Sequence, residues 1–195
     1  MLTIFGKTGN VEVSETPRMI LRMIRESKIP LGLVGLNGSG KSILLDQLKF
    51  DVDDIVNIRE DEKFETTQLI NLLAEGRQAY FSLNADSNHK AIEKLFYYVG
   101  LIDEEKEKRA FTRPIALVHM VKTALKSKII EKISIYPDGF GLDPANINPY
   151  ECLYRLHFNS PSSYGVTCVD TSEVMTKPSV RLCEMFPSFE PLKKL

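Results

Sequence analysis

The sequence predicts an α/β fold, with a mainly parallel central sheet flanked by helices and a short N-terminal hairpin, on three observations. Short apolar runs alternate with amphipathic stretches along the chain. The run LGLV at 31–34 ends abruptly in a glycine-rich turn, and that turn leads directly into KSILLDQLKF, which has helical spacing. Strands alternating with helices give parallel sheets covered on both faces, because each crossover lays a helix across the sheet.

Taken in order, LTIF and VEVS flank Gly6-Lys7-Thr8-Gly9-Asn10, whose residues suit a hairpin turn. Thr16-Pro17 then offers a capping residue and a proline at the first helical position, and Ile20, Leu21 and Ile24 recur at helical spacing. Pro30 ends that helix and LGLV follows as a buried strand. After the glycine turn, Ile43, Leu44 and Leu48 mark a helix, and Leu69, Ile70, Leu72 and Leu73 mark another over 66–75, closed by Gly76. AYFSL reads as a strand, and Ile92, Leu95, Phe96 and Val99 as a helix followed by a charged connector, DEEKEKR. The spacing of Ile115, Val118, Val121 and Leu125 predicts a helix over 114–128, with IEKISIY a strand after it. A helix over 149–158, a turn at 160–163 and strands at GVTCVD and VRLCEM complete the expectation.

With 195 residues, 43% hydrophobic, the chain suits one well-buried core, and 1–195 is read as a single domain. Twenty-five basic residues against twenty-six acidic ones leave a net charge of −1, so no global field recruits nucleic acid. MLTIFGKTGN lacks the pattern of a secretory leader, and no window holds the roughly eighteen apolar residues of a membrane span, so a cytoplasmic location is expected. Cys152, Cys168 and Cys183 are odd in number and set among apolar neighbours, as reduced core thiols would be. The acids Asp51, Asp53, Asp54, Glu60, Asp61 and Glu62 read as a solvated connecting surface.

Gly35-Leu36-Asn37-Gly38-Ser39-Gly40-Lys41-Ser42 has the spacing of a phosphate-binding loop, with a strand before it and a helix after. Glycines let successive backbone N–H groups point inward and a phosphate approach them closely. The helix adds its positive N-terminal end, Lys41 can reach β- and γ-phosphate oxygens, and Ser42 offers a hydroxyl to Mg²⁺. A lysine beside a positive helix end is unfavourable unless an anion shares the site. The motif therefore predicts a P-loop NTPase fold with Gly35, Asn37, Gly38, Ser39, Gly40, Lys41 and Ser42 binding nucleotide.

GLVGLNGSGKS resembles the Walker A segment of ABC-type ATPase nucleotide-binding domains, and three later stretches follow that family's order. RQAYFSLN resembles the strand that ends in the metal-coordinating glutamine, with Asn84 in its place. PIALVHMVKTALKSKIIEKISIYPDGFGLDP resembles the helix after the signature motif, the Walker B strand and its following loop, and YGVTCVDTSE the strand leading to the switch histidine. The resemblance implies ATP and Mg²⁺ as ligands, Ser42, Asn84 and Asp138 as metal-side residues, Lys41 and Asp138 as the chemical pair, and a homodimer or protein partner. The pattern departs from the family at RAFTRP, which stands where LSGGQ belongs, at Pro137-Asp138 in place of Asp-Glu, and at Thr171 or Ser172 in place of the histidine. Phe5 is a weak stand-in for an adenine-stacking aromatic, and the segment between Asn84 and Pro114 is shorter than the family's helical subdomain.

Binding rests mostly on backbone amides, Lys41 and metal, whereas losing a group that clasps the γ-phosphate costs on the order of a thousandfold in rate. The expectation is an ATP-binding module in which Mg-ATP controls association or partner docking with slow or absent hydrolysis. The alternative is an active P-loop enzyme, a slow ATPase or a small-molecule or nucleotide kinase, for which Arg109 and Arg113 are candidate phosphate ligands.

Overall fold

A computed structural model describes residues 2–6, 9–13, 15–48, 55–57, 63–99, 104–122, 128–158, 169–174 and 179–186. Strands β1 (Leu2–Gly6) and β2 (Gly9–Val13) form the expected hairpin, with Leu2 opposite Val13. Helix α1 (Glu15–Glu26) follows, then β3 (Leu31–Gly35), α2 (Lys41–Leu48), β4 (Ile55–Asn57), α3 (Lys63–Ala74), β5 (Tyr80–Asn84) and α4 (Asn88–Val99). Then come α5 (Glu104–Phe111), β6 (Ile115–Lys122), β7 (Lys128–Tyr136), β8 (Glu151–Phe158), β9 (Val169–Val174) and α6 (Val180–Met185). Among the described residues no helix is long and apolar enough to cross a membrane. The acidic residues at 51–54 and 60–62, the turn at 160–163, and the side chains of Phe5, Cys168 and Cys183 lie outside the described part; Cys152 is half-buried and its thiol reaches the Tyr154 carbonyl.

The nine strands among the described residues belong to one sheet. Its centre, in the order β4-β5-β3-β6, is parallel throughout. The rest is mixed: β7 runs antiparallel to β6, with its other edge taken by β2 near its start and by β8 further on, and β9 closes on β8. A mainly parallel sheet is thus correct for the four-strand centre and not for the extension beyond β6.

Two apolar layers cover the sheet. One face packs Leu31, Leu33, Ala116, Val118 and Met120 against α1, α2 and Leu182 of α6. The other packs Val34, Phe81, Ile115 and Leu117 against α3, α4 and Phe111 of α5. Both faces being covered explains the main misreading. Residues 115–118 are buried on each side, so β6 shows no polar alternation, and a continuous apolar run does not distinguish a buried strand from a helix. Residues 151–158 are likewise a strand, because β7 and β9 supply pairing partners on both sides. VRLCEM is a helix, started by Ser179, whose hydroxyl accepts from Leu182 N, and it buries Leu182 and Phe186 at four-residue spacing. The charged connector is α5, with Glu104, Glu105 and Glu107 in its first turn and Lys108 and Arg109 in its last, which matches the helix dipole.

Helices α1 and α3 end in the same way. Gly76 N donates to Leu73 O and Arg77 N to Leu72 O, while Lys28 N donates to Arg25 O and Ile29 N to Ile24 O, the two-bond pattern of a left-handed C-terminal stop. Gly76 occupies it at φ 75°, and Lys28 at φ 55°. A lysine there carries a steric penalty that glycine avoids. Lys28→Gly is expected to raise unfolding free energy by about 0.5–1 kcal/mol, read from the urea midpoint; a decrease contradicts the assignment.

Candidate functional site

The 35–42 loop joins β3 to α2 at the C-terminal edge of the parallel strands. Beside β3 the chain builds β5 and β4 on one side and β6 on the other, so the loop sits at the point where strand order reverses, where open α/β sheets bind ligands. All five residues of β3 are buried, and Leu44 and Leu45 anchor α2 in the core, so both ends of the loop are held.

Glycine is required within it for two separate reasons. A Cβ at Gly35 would lie 2.3 Å from Met120 O and 2.6 Å from Ser39 Oγ, so backbone and loop approach too closely for any side chain. Gly38 and Gly40 instead take φ 81° and φ 96°, a region that L side chains rarely adopt. Ser39 N donates to Leu36 O and tightens the turn. Ser39 is 1% exposed, and its Oγ has no hydrogen-bond partner among the described residues.

The Lys41 ammonium donates to Gly35 O at 2.5 Å and to Leu36 O at 3.1 Å. It is folded back over its own loop, and burial lowers its pKa. A half-buried cation whose partners among the described residues are carbonyl oxygens is short of negative charge, which a phosphate would supply. Ser42 is exposed at the first turn of α2, where helix N–H groups lack partners within the helix. The glycine cradle, the orphaned Ser39 hydroxyl and the available Lys41 charge fit a polyphosphate.

On the neighbouring strand, Asn84 pairs with Gly35 across the ladder, and Lys94 Nζ donates to its carbonyl. Asp86 follows two residues later, exposed and ion-paired with Lys90 at 2.5 Å, which holds its carboxyl below the usual range. It is an acid that sequence reasoning passed over; its signal was position, just past a strand ending beside the loop. Among the described residues no group of three histidine, cysteine or carboxylate side chains is arranged to hold a metal. Magnesium with a triphosphate takes only one or two protein ligands besides phosphate and water, so Ser42 fits that requirement without a protein-built cage.

Asp138 lies elsewhere. Ile115, at the start of β6, pairs with Tyr136, and Leu31, at the start of β3, pairs with Ala116. Tyr136 is therefore at the edge where β3 begins, and four residue steps of strand, about 13 Å, separate that edge from Gly35. Asp138 is two residues beyond Tyr136, and its carboxylate pairs with Arg181 at 2.5 Å. The direction of β7, antiparallel to β6, thus removes Asp138 from the loop. The sequence order on which the ABC-like carry-over depended does not bring Asp138 to Ser42.

The Gly-Leu-Asp-Pro turn shares that far edge. Gly141 N donates to Phe111 O, and Asp143 Oδ1 accepts from Ala145 N, so the aspartate closes its own turn. Arg113 packs its guanidinium against Gly76, and Arg109 pairs with Glu105 on the exposed side of α5. Thr171 and Ser172 pair with His157 and Leu156 on the outer strands. Asp138→Ala is therefore expected to leave Mg-ATP affinity within about twofold of the parent, measured by calorimetry; a tenfold loss contradicts this placement.

Neither the known protein-family models nor the curated proteins include a match to this chain.

Proposed function

We propose that the chain binds a magnesium–nucleoside triphosphate, ATP by resemblance, on residues 35–42, and that the bound nucleotide controls association or partner docking with slow or absent hydrolysis. One observation carries this reading: a glycine loop at the strand-order reversal, backed so closely by Met120 O that residue 35 has no room for a side chain, with Lys41 over it. The loop's position and its glycine geometry support a P-loop fold. The placement of Asp138 at the far edge favours weak hydrolysis, because the acid assigned to metal or water is not beside the loop.

Calorimetry with Mg-ATP and Mg-GTP, run beside a phosphate-release assay and light scattering, tests the reading. Micromolar binding, a mass increase with Mg-ATP and little phosphate release are the expected results. Absence of binding for both nucleotides refutes it. A second reading, a small-molecule kinase, is favoured by the cleft beside α4 described next. Transfer that depends on an added acceptor distinguishes it.

A further inference from the structure

On the face of the sheet that carries α4, β6 and β7 form the floor of a cleft of about 690 Å³, walled by residues 86–89 and residues 145–150. That size suits a small molecule. On the floor, His119 Nδ1 meets Glu131 Oε2 at 2.5 Å, with the side chains 14% and 30% exposed. A carboxylate accepts only, so Nδ1 carries the proton and the lone pair lies on Nε2. The carboxylate also fixes the orientation of the ring, the arrangement by which a general base is positioned. Hydrogen bonding from His119 in turn holds the Glu131 carboxyl below its usual range.

A cross-strand ion pair on a solvated face would be an ordinary surface contact. This pair instead lies on the face where Ile115 and Leu117 pack in the core, at the bottom of a cleft. The other lining groups indicate what enters. Tyr150, 42% exposed, offers a ring at the rim, fixed by the Lys132 ammonium 3.9 Å over its centroid and by Tyr136, whose ring centroid is 5.4 Å away. Asn88, 8% exposed, donates to Ser134 and has no hydrogen-bond partner for Oδ1. The two acids Asp86 and Glu131 outnumber the one lysine, Lys132, so the cleft is not built for a strong anion. An aromatic face, an amide and an acid–base pair suit a neutral ring or chain bearing hydroxyl groups.

None of residues 35–42 lines the cleft, but two of its lining residues stand next to that loop by strand register. His119 pairs with Val34, the residue before Gly35, and Asp86 is two residues past Asn84, the ladder partner of Gly35.

We propose that this cleft binds a small hydroxyl-bearing acceptor and that His119, oriented by Glu131, takes the proton of the attacking hydroxyl; this rests on the nucleotide reading of the 35–42 loop. The acceptor oxygen bonds to the γ-phosphorus, the bond from that phosphorus to the β,γ-bridging oxygen breaks, the nucleoside diphosphate leaves with the electron pair, and the hydroxyl proton passes to Nε2. Asp86, His89, Glu131, Lys132, Tyr136 and Tyr150 are the titratable groups sharing the cleft.

The test uses the full chain with Mg-ATP and a panel of glycerol, ribose, glucose, myo-inositol and the four ribonucleosides. Carbon–proton NMR of the histidine rings reads binding, and phosphorus NMR reads transfer; His119→Gln assigns the His119 signal. The expected result is a panel compound that shifts the His119 signal and is phosphorylated on a hydroxyl. His119→Gln then lowers kcat at least a hundredfold with Mg-ATP affinity unchanged. Glu131→Gln lowers kcat less, and its circular dichroism matches the parent. Lys41→Ala abolishes transfer but preserves the His119 shift. No shift from any compound at 50 mM, or transfer undiminished in His119→Gln, overturns the proposal. A His119 shift without Mg-ATP binding overturns the transfer step together with the nucleotide reading, and leaves acceptor binding standing alone.

Discussion

Lys41→Ala is expected to lower the affinity for Mg-ATP proposed for the 35–42 loop on the order of a hundredfold to a thousandfold while leaving the fold intact. The ammonium holds only Gly35 O and Leu36 O within its own loop. Those carbonyls sit at a partly exposed turn, so water replaces the donor, and the half-buried charge that alanine removes carried a desolvation penalty. Phosphate makes the opposite balance. Charge-assisted bonds contribute about 1.5–3 kcal/mol each, and two of them correspond to a loss of two to three decades or more in the dissociation constant. Calorimetry with parent and variant, beside thermal unfolding of both, checks the result. Equal affinity for the two proteins means that Lys41 does not reach phosphate, and the loop is then an ordinary strand-to-helix turn.

Gly35→Ala lowers stability by about 3 kcal/mol or more, because the added methyl group meets a backbone atom that has no rotamer to change. Met120 O, 2.3 Å from the Cβ position, belongs to a buried central strand, and Ser39 Oγ at 2.6 Å blocks the other direction. Gly38→Ala is the matched control. Lys122 Cδ is 4.0 Å from its Cβ position, so room exists, and only the φ of 81° opposes the change. That strain costs about 1 kcal/mol. Urea denaturation of the three proteins separates crowding from strain. A Gly35→Ala loss no greater than that of Gly38→Ala contradicts the close approach of β6 to the loop.

Much of the first half of the chain was legible because its signals are local. Pro30 and the glycines at 35–40 act through their own φ angles and missing side chains or protons, and those constraints hold in any fold, whereas α1 begins at Glu15, ahead of the Thr16-Pro17 start expected for it. Helices α1, α2, α3 and α4 and strands β3 and β5 accordingly fall where periodicity places them. After Val99 legibility declines. The stretch that begins at Ile115 has helical spacing by coincidence, since a strand buried on both faces needs apolar residues at every position. Acids and bases in 104–109 follow the helix dipole, a signal that was present and passed over.

The site divides in the same way. The 35–42 loop is a contiguous motif, so its residues could be named without knowing the fold. The His119–Glu131 pair joins positions twelve apart on two strands, and nothing in either segment announces the other. Asp138 illustrates the reverse error: close in sequence order to the expected place and at the wrong edge in space.

The residues alone determined that a strand, a glycine turn and a helix with the spacing of a phosphate-binding loop occur in succession, because backbone freedom and side-chain size are properties of each position. Only the tertiary structure decided what faces that loop, because strand direction is a property of pairing. Reversing β7 against β6 sends Asp138 to the far edge and brings Glu131 to His119 beside α4.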